Sequence, residues 1–375
     1  MIPQNIRLTS QPLADYLASK TEIDEAIQNM LARGRYVLGP EVEAFEKEFA
    51  AFVGTTQAIG VGNGTDALVL ALRALGIGRD DRVITVSQTA VATVAAIELT
   101  GAQAILVDID PVSNTLSPER LEATLASGTG PKPKAVIAVH LYGHPADLPA
   151  LSAICQRHEI ALIEDCAQAH GAAFEGRSIG TWGAVAAFSF YPTKNLGAIG
   201  DGGAVATNDA DLAARVRRLR EYGWKERYIS DEAGLNSRLD ELQAAILRVK
   251  CRRLAADNAR RRTLAGLYTA GLAGLPITPP AIRPGATHVF HQYVVRSAHR
   301  DALRAFLLSR GIPTAIHYPQ PVHVQPAYLG RIAIGAGGLA ESERASREVL
   351  SLPLHPHLLE EDIALVLQHL KDWRP

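Results

Sequence analysis

The chain is poor in cysteine and carries almost no net charge. Its 375 residues include three cysteines, Cys155, Cys166 and Cys251, which are far apart and form no C-x-x-C pair. This argues against a disulfide framework and a zinc site, and it suits the reducing cytoplasm. The formal net charge of −1 at pH 7 provides no electrostatic field for binding nucleic acid or an anionic membrane. The expected partners are therefore small molecules and other protein chains.

Long apolar runs are also missing. The N-terminal stretch MIPQNIRLTSQPLADYLASK contains no apolar core flanked by basic residues, so we expect no signal peptide. No run in the chain approaches the length of a membrane span. Histidines occur in three close pairs, which are His288 and His291, His317 and His323, and His355 and His357. Their spacings match no helical zinc motif, so we predict no metal site.

Short β-branched runs alternate with helical segments through the first half of the chain. DRVITVS is followed by TAVATVAAIELTG, and KAVIAVHLYG by LPALSAICQRHEI and IALIEDCAQ. This alternation predicts a mostly parallel α/β sheet covered by helices on both faces. Because 375 residues exceed what one core usually serves, we expect a large α/β domain at 1–245, with an N-terminal arm, and a smaller α+β domain at 246–375. The domain change falls in one long helical stretch that begins with SRLDELQ.

One lysine stands in unusual surroundings. In SFYPTKNLGAIGDGGA, Lys194 follows Phe190 and Tyr191 and precedes Leu196 and Ile199. Burying an ammonium group is costly unless it is paired or used chemically, although a surface lysine can also lay its stem along apolar neighbours. The lysine follows the apolar run AVAAFSFY, which places it at the edge where open α/β sheets bind their ligands.

Two further motifs are expected at the same edge. GVGNGTDALVLAL predicts a strand, a glycine turn and a helix whose first amides can bind phosphate, although a plain connecting turn explains it equally well. A dinucleotide fingerprint would need a third glycine where Thr65 stands, which argues against a Rossmann dehydrogenase. LIEDCAQAHGA places Glu164 and Asp165 at a strand end, which by itself fits a helix cap or a salt bridge. With Lys194, these motifs supply what pyridoxal phosphate needs, namely an amine for the aldehyde, a carboxylate beside the ring nitrogen and donors for the phosphate.

Taken in this order, the motifs resemble those of the DegT/DnrJ/EryC1/StrS family of fold-type I, aspartate-aminotransferase-like enzymes, which use pyridoxal phosphate on nucleotide-linked keto-sugars. The likeness runs through RGRYVLGPEVEAFEKEFA, GNGTDAL, EDCAQAHGA, NSRLDELQAAIL and GIPTAIHYPQPVHVQPAY to SLPLHPHL. It implies that Lys194 is the catalytic lysine that binds the cofactor and moves the proton, and that Asp165 is the catalytic carboxylate at the pyridine nitrogen. The cofactor-binding residues that it implies are Gly64, Thr65, Asp165, Gln168 at the ring hydroxyl, Ser189, Lys194 and, from a neighbouring subunit, Asn236. The sugar-binding residues that it implies are Tyr191, His317 and Tyr318.

The resemblance also implies a reaction and an assembly. A homodimer with shared active sites would take an amino group from glutamate, with pyridoxamine phosphate as the intermediate form of the cofactor. It would give this group to a 3-keto-6-deoxy sugar linked to dTDP, in deoxyamino sugar or polysaccharide biosynthesis. FYPTKNLGAIGDGGA resembles the C3 transaminases more than the C4 transaminases, which remain an alternative.

Two different functions are compatible with the same scaffold. The first is a sugar deoxygenase or dehydratase. Such enzymes of the same fold lack the lysine that binds the cofactor, so Lys194 argues against this function. The second is a non-catalytic regulator. Family members often stack a ring on the cofactor at the position where Gln88, Thr89 and Ala90 stand in this chain. Gln88 is therefore only a possible cover for the cofactor, and no stacking residue is assigned.

Overall fold

We describe the protein from a computed structural model, which covers residue 8 and residues 11–128 and 130–375. Residues 1–7, 9 and 10, at the start of the predicted N-terminal arm and within the stretch in which we expect no signal peptide, lie outside the described residues. No helix within them combines the length and the apolar character that crossing a bilayer requires.

The strands in the described residues are short. They are β1 (Gln57–Val61), β2 (Arg82–Val86), β3 (Gln103–Val107), β4 (Ala135–Val139), β5 (Ala161–Asp165), β6 (Ala173–Phe174), β7 (Arg177–Ser178), β8 (Val185–Ser189), β9 (Gly203–Thr207), β10 (Trp224–Glu226), β11 (Ile229–Ser230), β12 (Ala286–Thr287), β13 (Tyr293–Arg296), β14 (Ala333–Ile334) and β15 (Val349–Leu352).

The helices are longer and lie between these strands and at both ends. They are α1 (Gln11–Ala18), α2 (Lys20–Arg33), α3 (Pro40–Val53), α4 (Gly64–Ala74), α5 (Val91–Leu99), α6 (Pro118–Ala126), α7 (Leu148–Arg157), α8 (Ala210–Leu219), α9 (Glu241–Cys251), α10 (Leu254–Gly271), α11 (Arg300–Leu308), α12 (Ala340–Glu348) and α13 (Glu360–Asp372). Two short 3₁₀ turns are Leu141–Gly143 and Val322–Val324.

The main sheet has the strand order β1-β9-β8-β5-β4-β2-β3-β14. β9 runs antiparallel to β1 and β8, and the remaining neighbouring strands pair in parallel. This confirms the predicted mostly parallel α/β sheet. β4 (sequence AVIAV) is buried along its whole length, as expected for a strand covered on both faces. The parallel pairing brings the carboxyl ends of β2, β4, β5 and β8 to one edge, where the ligand site is expected.

The long helical stretch predicted at the domain change is two helices, α9 and α10, which are separated at Arg252 and Arg253. On α9, Ile246 packs with Ile23 of α2, whereas Tyr268 of α10 belongs to a second apolar core. α9 also buries Ala244 and Leu247 in the main core, whereas α10 buries Leu264 and Tyr268 in the second one.

The second core supports a division of the chain into two domains. It includes buried residues of α10, α11 and α13 and of the antiparallel pair β13 and β15. The C-terminal part also contributes β14, which pairs with β3 at the end of the main sheet. The exact division at 245 and 246 stays a prediction.

Candidate active site

A cavity of about 560 Å³ opens at the carboxyl edge of the main sheet. Residues predicted to bind the cofactor or the substrate that line it are Gly64, Thr65, Asp165, Gln168, Ser189, Tyr191 and Lys194. Further lining residues come from the ends of β2 and β4 and from α5. The structure therefore brings most of the predicted site together from segments far apart in sequence.

The glycine turn before α4 forms one end of this cavity. The Asn63 side chain caps the helix by accepting a hydrogen bond from the Asp66 amide at 2.8 Å. The amides of Gly64 and Thr65 lie in the first turn, where they have no partner within the helix and can bind an anion. A Cβ atom on Gly64 would lie 2.6 Å from the Cβ atom of Ser189, so only glycine permits this close approach. The turn and the Ser189 hydroxyl together fit a phosphate group.

Asp165 is the last residue of β5 and is 6% exposed. Its carboxylate accepts hydrogen bonds from the Thr93 hydroxyl at 2.9 Å and from the Ala167 amide at 3.2 Å. Burial raises the pKa of Asp165, while these two hydrogen bonds and the positive charge of Lys194 oppose the rise. A buried carboxylate with few donors favours a cationic partner in the cavity, as a protonated pyridine nitrogen would be.

Lys194 lies five residues beyond the end of β8, in a turn closed by a hydrogen bond from its amide to the Tyr191 carbonyl at 2.8 Å. The residue as a whole is half-buried. Burial of its ammonium group lowers the pKa of Lys194 to about 8, although attraction to Asp165 opposes this. A substantial fraction of the amine is therefore neutral near physiological pH, which a nucleophile toward an aldehyde requires.

Gln168 is held between two tyrosines. Its Oε1 accepts a hydrogen bond from the Tyr142 amide at 2.7 Å, and its Nε2 donates to the Tyr318 hydroxyl at 3.0 Å. An amide nitrogen has two hydrogens, so one remains for an oxygen on a ligand. This pair of contacts fits the predicted role of Gln168 at a ring hydroxyl, and it attaches Tyr318 to the cavity wall.

The remaining two residues predicted to bind the sugar differ in position. Tyr191 lines the cavity and is 53% exposed, so its ring is accessible from solvent. His317 lies in the wall of an adjoining cavity of about 330 Å³, where its Nδ1 is 2.8 Å from the Ser351 hydroxyl. Burial lowers the pKa of His317 to about 4, so the imidazole is neutral at physiological pH.

Gln88 does not line the cavity, whereas its neighbours Thr89 and Ala90 do. Gln88 is fully buried, and its amide donates to the Tyr142 hydroxyl at 3.4 Å. It is therefore poorly placed to cover a cofactor ring. Sequence reasoning missed Thr93, the donor to Asp165. Its only sequence signal is its position seven residues beyond the end of β2, in the first turn of α5.

Asn236 is exposed and lies outside the cavity of its own chain. It forms an isolated bridge with Glu221, five residues before the start of α9. The helical stretch predicted to begin with SRLDELQ starts only at Glu241, so Asn236 does not stand at a helix start. The first residue of that helix, Glu241, instead binds the start of α3, because its carboxylate accepts hydrogen bonds from the amides of residues 39, 41 and 42. The predicted contact of Asn236 with a neighbouring subunit stays a prediction.

Comparison with known proteins identifies the fold and the family. Residues 18–371 match the DegT/DnrJ/EryC1/StrS aminotransferase family. The chain is 48% identical over 361 residues to the dTDP-3-amino-3,4,6-trideoxy-alpha-D-glucose transaminase of Streptomyces venezuelae, covering 96% of this chain and 94% of the relative. It is 42% identical over 362 residues to a UDP-N-acetyl-3-dehydro-alpha-D-glucosamine 3-aminotransferase of Acidithiobacillus ferrooxidans, covering 96% of each. The crystal structure of Streptomyces venezuelae DesV in complex with a ketimine intermediate matches with a TM-score of 0.93 at 48% identity, covering 97% of each chain.

These matches extend over nearly the whole chain and agree with the geometry of the cavity. They confirm the family resemblance, the aminotransferase fold and the expectation of an enzyme, and they exclude the Rossmann dehydrogenase. The family comprises pyridoxal-phosphate-dependent aminotransferases, and the two relatives described above are named as sugar transaminases. The chain belongs to the DegT/DnrJ/EryC1/StrS aminotransferase family, and its activity is that of a sugar aminotransferase.

Proposed function

We propose that the protein transfers an amino group from glutamate to C3 of a dTDP-linked 3-keto-6-deoxy sugar, with pyridoxal phosphate as its cofactor. One observation carries the proposal: Lys194 and Asp165 line the same cavity as the glycine turn at Gly64, whose amides can bind a phosphate. The Streptomyces venezuelae relative is named for a 3-amino sugar on dTDP, which supports both the position and the nucleotide. The Acidithiobacillus ferrooxidans relative is named for the same position on a UDP sugar, so the nucleotide needs its own test.

The residues of the cavity fit the proposed cofactor. The amides of Gly64 and Thr65 and the hydroxyl of Ser189 would hold the phosphate, and Asp165 would hold a proton on the ring nitrogen. Gln168 would donate to the ring hydroxyl through its remaining amide hydrogen. When bound, the cofactor supplies an electron sink that makes the proton on the adjacent substrate carbon removable.

Lys194 has two roles in the proposed reaction. Its neutral amine would bind the cofactor covalently in the resting enzyme. When it is not bound to the cofactor, the Lys194 amine would take up and return the proton at the substrate carbon. Attraction to Asp165 opposes the loss of its charge, so the lysine can hold a proton between these steps.

The sugar would enter past Tyr191 toward Tyr318 and His317. These side chains offer two hydroxyl groups and a neutral imidazole, which suit a ligand rich in hydroxyl groups. Because a misplaced sugar would leave buried polar groups unpaired, such a site can discriminate between C3 and C4. The three cysteines are unpaired, which supports the proposed cytoplasmic location.

A product assay tests the proposal. The enzyme is incubated with ¹⁵N-glutamate and matched dTDP-linked 3-keto and 4-keto sugars, with the UDP-linked sugars in parallel, and the product is assigned by NMR. We expect ¹⁵N at C3 of the dTDP sugar, stoichiometric 2-oxoglutarate, and no product from the Lys194→Ala variant. An amine found only at C4 would overturn the proposed position while leaving the transamination intact. Product from the UDP sugar alone would overturn the proposed nucleotide.

We also propose that two subunits share each active site, with Asn236 reaching the cofactor phosphate of its neighbour. Its exposure and its position outside its own cavity support this arrangement. Lys194→Ala and Asn236→Asp chains, each inactive alone, are mixed under conditions that exchange subunits. One of the two sites in a mixed dimer is then intact, so about a quarter of the wild-type activity should return. If mixed dimers form and remain inactive, the shared arrangement is wrong.

A further inference from the structure

Asp15 lies at a junction of three parts of the molecule. It belongs to α1 and is 11% exposed, and its carboxylate accepts a hydrogen bond from Nε2 of His357 at 2.8 Å. The ammonium group of Lys250, on α9, lies 3.7 Å from the same carboxylate. Gln11, one helical turn earlier, donates to the carboxylate at 3.4 Å. Helix α1, helix α9 and the segment just before α13 therefore meet at one buried charge.

Two of these partners also hold the loop that carries the catalytic lysine. Nε2 of Gln11 donates to the main-chain carbonyl of Lys194 at 3.3 Å. The ammonium group of Lys250, whose side chain is 10% exposed, donates to the carbonyl of Gly197 at 2.7 Å. Asp15 thus orients both side chains that bind the loop, one on Lys194 itself and one three residues later.

The charges around Asp15 make this junction sensitive to its removal. Burial by itself would raise the pKa of Asp15, but the hydrogen bond from His357 and the charge of Lys250 more than offset it, so the pKa lies below its ordinary value. Burial lowers the pKa of Lys250, and the charge of Asp15 opposes this. Asp257 and Arg261 are the remaining charged groups that act on this site. Without Asp15, the buried ammonium group of Lys250 would keep only the attraction of Asp257, so its charged form would be less stable and its hold on the loop weaker.

We propose that Asp15 is a positioning residue for Lys194, acting through Gln11 and Lys250 and tying the loop to His357 in the C-terminal part. A catalytic group must be held within a fraction of an ångström of its productive position, and residues that fix its backbone contribute to the rate without touching the substrate. The catalytic role of Lys194 in this proposal rests on the proposed function. The contacts of Asp15, Gln11 and Lys250 are observed independently of that function.

The test compares Asp15→Asn with the matched control Asp24→Asn. Asp24, on the neighbouring helix α2, pairs with Lys20 and the Tyr16 hydroxyl, away from the loop. In the holoenzyme we expect Asp15→Asn to lower kcat by about tenfold or more, because small displacements of a catalytic group cost up to about a hundredfold. The visible absorbance of the cofactor bound to Lys194 depends on the protonation of the nitrogen that joins them. The pH at which this absorbance is half-changed should move lower, because a displaced Lys194 loses its attraction to Asp165. Asp24→Asn should change neither quantity.

A second measurement needs neither cofactor nor substrate. Hydrogen exchange of the peptide spanning residues 191–200 is followed in the cofactor-free protein. It should become about tenfold faster in Asp15→Asn and in Lys250→Met and should not change in Asp24→Asn. Lost stability with an unchanged pH midpoint and unchanged loop exchange would mean that Asp15 is only structural, which overturns the proposal. If the wild type aminated no sugar, the proposed function would fail, and the exchange experiment would still test Asp15.

Discussion

Glu164 and Asp165 are neighbours at the end of β5, yet they lie in different surroundings. Successive side chains of a strand point to opposite faces, so only Asp165 lines the cavity. Glu164 is fully buried, and four donors converge on its carboxylate: the amides of Gly180 at 2.7 Å, Trp182 at 2.8 Å and Gly183 at 2.8 Å, and Nε2 of His140 at 3.2 Å. Glu164 therefore fixes a loop against the sheet and has no capacity left for a ligand.

Asp165 has only two donors, and it faces an open cavity. Both carboxylates are buried, and they differ in the number of donors that bind them, which leaves Asp165 able to accept from a ligand. The same argument applies to the cluster of His140, Glu164 and Cys166, whose side-chain ligand atoms lie within 4.8 Å of one another. The Glu164 carboxylate is already bound, and burial raises the pKa of the Cys166 thiol well above its ordinary value, so this cluster is a poor metal site.

The largest effect is expected in the cavity that Asp165 faces, from loss of Lys194. Lys194→Ala should lower kcat by on the order of a thousandfold or more and abolish the visible cofactor band, because no second amine can take its place. Lys194→Arg should also fail, since a guanidinium stays protonated and cannot condense with an aldehyde. Lys47→Ala, at an exposed position of α3, is the control and should behave as the wild type. Full turnover by Lys194→Ala would remove the basis of the functional assignment.

Matched amide substitutions at the two carboxylates should give opposite results. Asp165→Asn should lower kcat by about a hundredfold, because the ring nitrogen loses its anionic partner, with little change in the free energy of unfolding. Glu164→Gln should lower the free energy of unfolding by about 3 kcal/mol, because its amide group would present donors to backbone amides. Steady-state kinetics of both variants with the cofactor bound, and urea unfolding of both variants without it, make the comparison. Equal losses of activity and stability in the two variants would contradict the distinction drawn between these carboxylates.

Thr93→Val probes one of the two donors to Asp165. Valine has nearly the same shape and cannot donate, so Asp165 should keep its place and lose a hydrogen bond to its charged form. We expect kcat to fall by about tenfold, which is the scale of one hydrogen bond to a charged group. Thr263→Val, on the exposed face of α10, is the matched control and should have no effect. A rate unchanged by Thr93→Val would show that the donor count at Asp165 does not matter for catalysis.

The smallest effect is on stability and depends on pH. The pKa of Lys194 is about 8 in the folded, cofactor-free protein and about 10.5 in the unfolded chain. Between these values the unfolded state binds more protons, so stability rises with pH as the cost of the buried ammonium group is relieved. Lys194→Met, which removes this cost, should therefore stabilise the cofactor-free protein more at pH 7 than at pH 9.5, by about 1–2 kcal/mol. Urea unfolding at the two pH values measures the difference. An equal gain at both would show that the lysine is not buried in its charged form.

The parts of the site that could be predicted are those carried by local sequence. The glycine turn at Gly64, the carboxylate at the end of β5 and the lysine after β8 each follow a strand with a clear apolar pattern. Parallel strands bring such ends to one edge, so their meeting could be predicted before any contact was known. The division of one helical stretch into α9 and α10 could not, because its periodicity continues through Arg252 and Arg253.

The sequence by itself determined the family and the parallel sheet, and it predicted that Lys194 and Asp165 meet at one edge of that sheet. Only the tertiary structure decided that Thr93 donates to Asp165 across 72 residues, and that Gln11 reaches the carbonyl of Lys194 across 183. It also decided that four donors bind Glu164 while Asp165 faces the cavity. Short-range patterns record the period of a strand or helix, whereas a hydrogen-bond partner depends on how distant segments pack, and nothing in the local pattern encodes that distance.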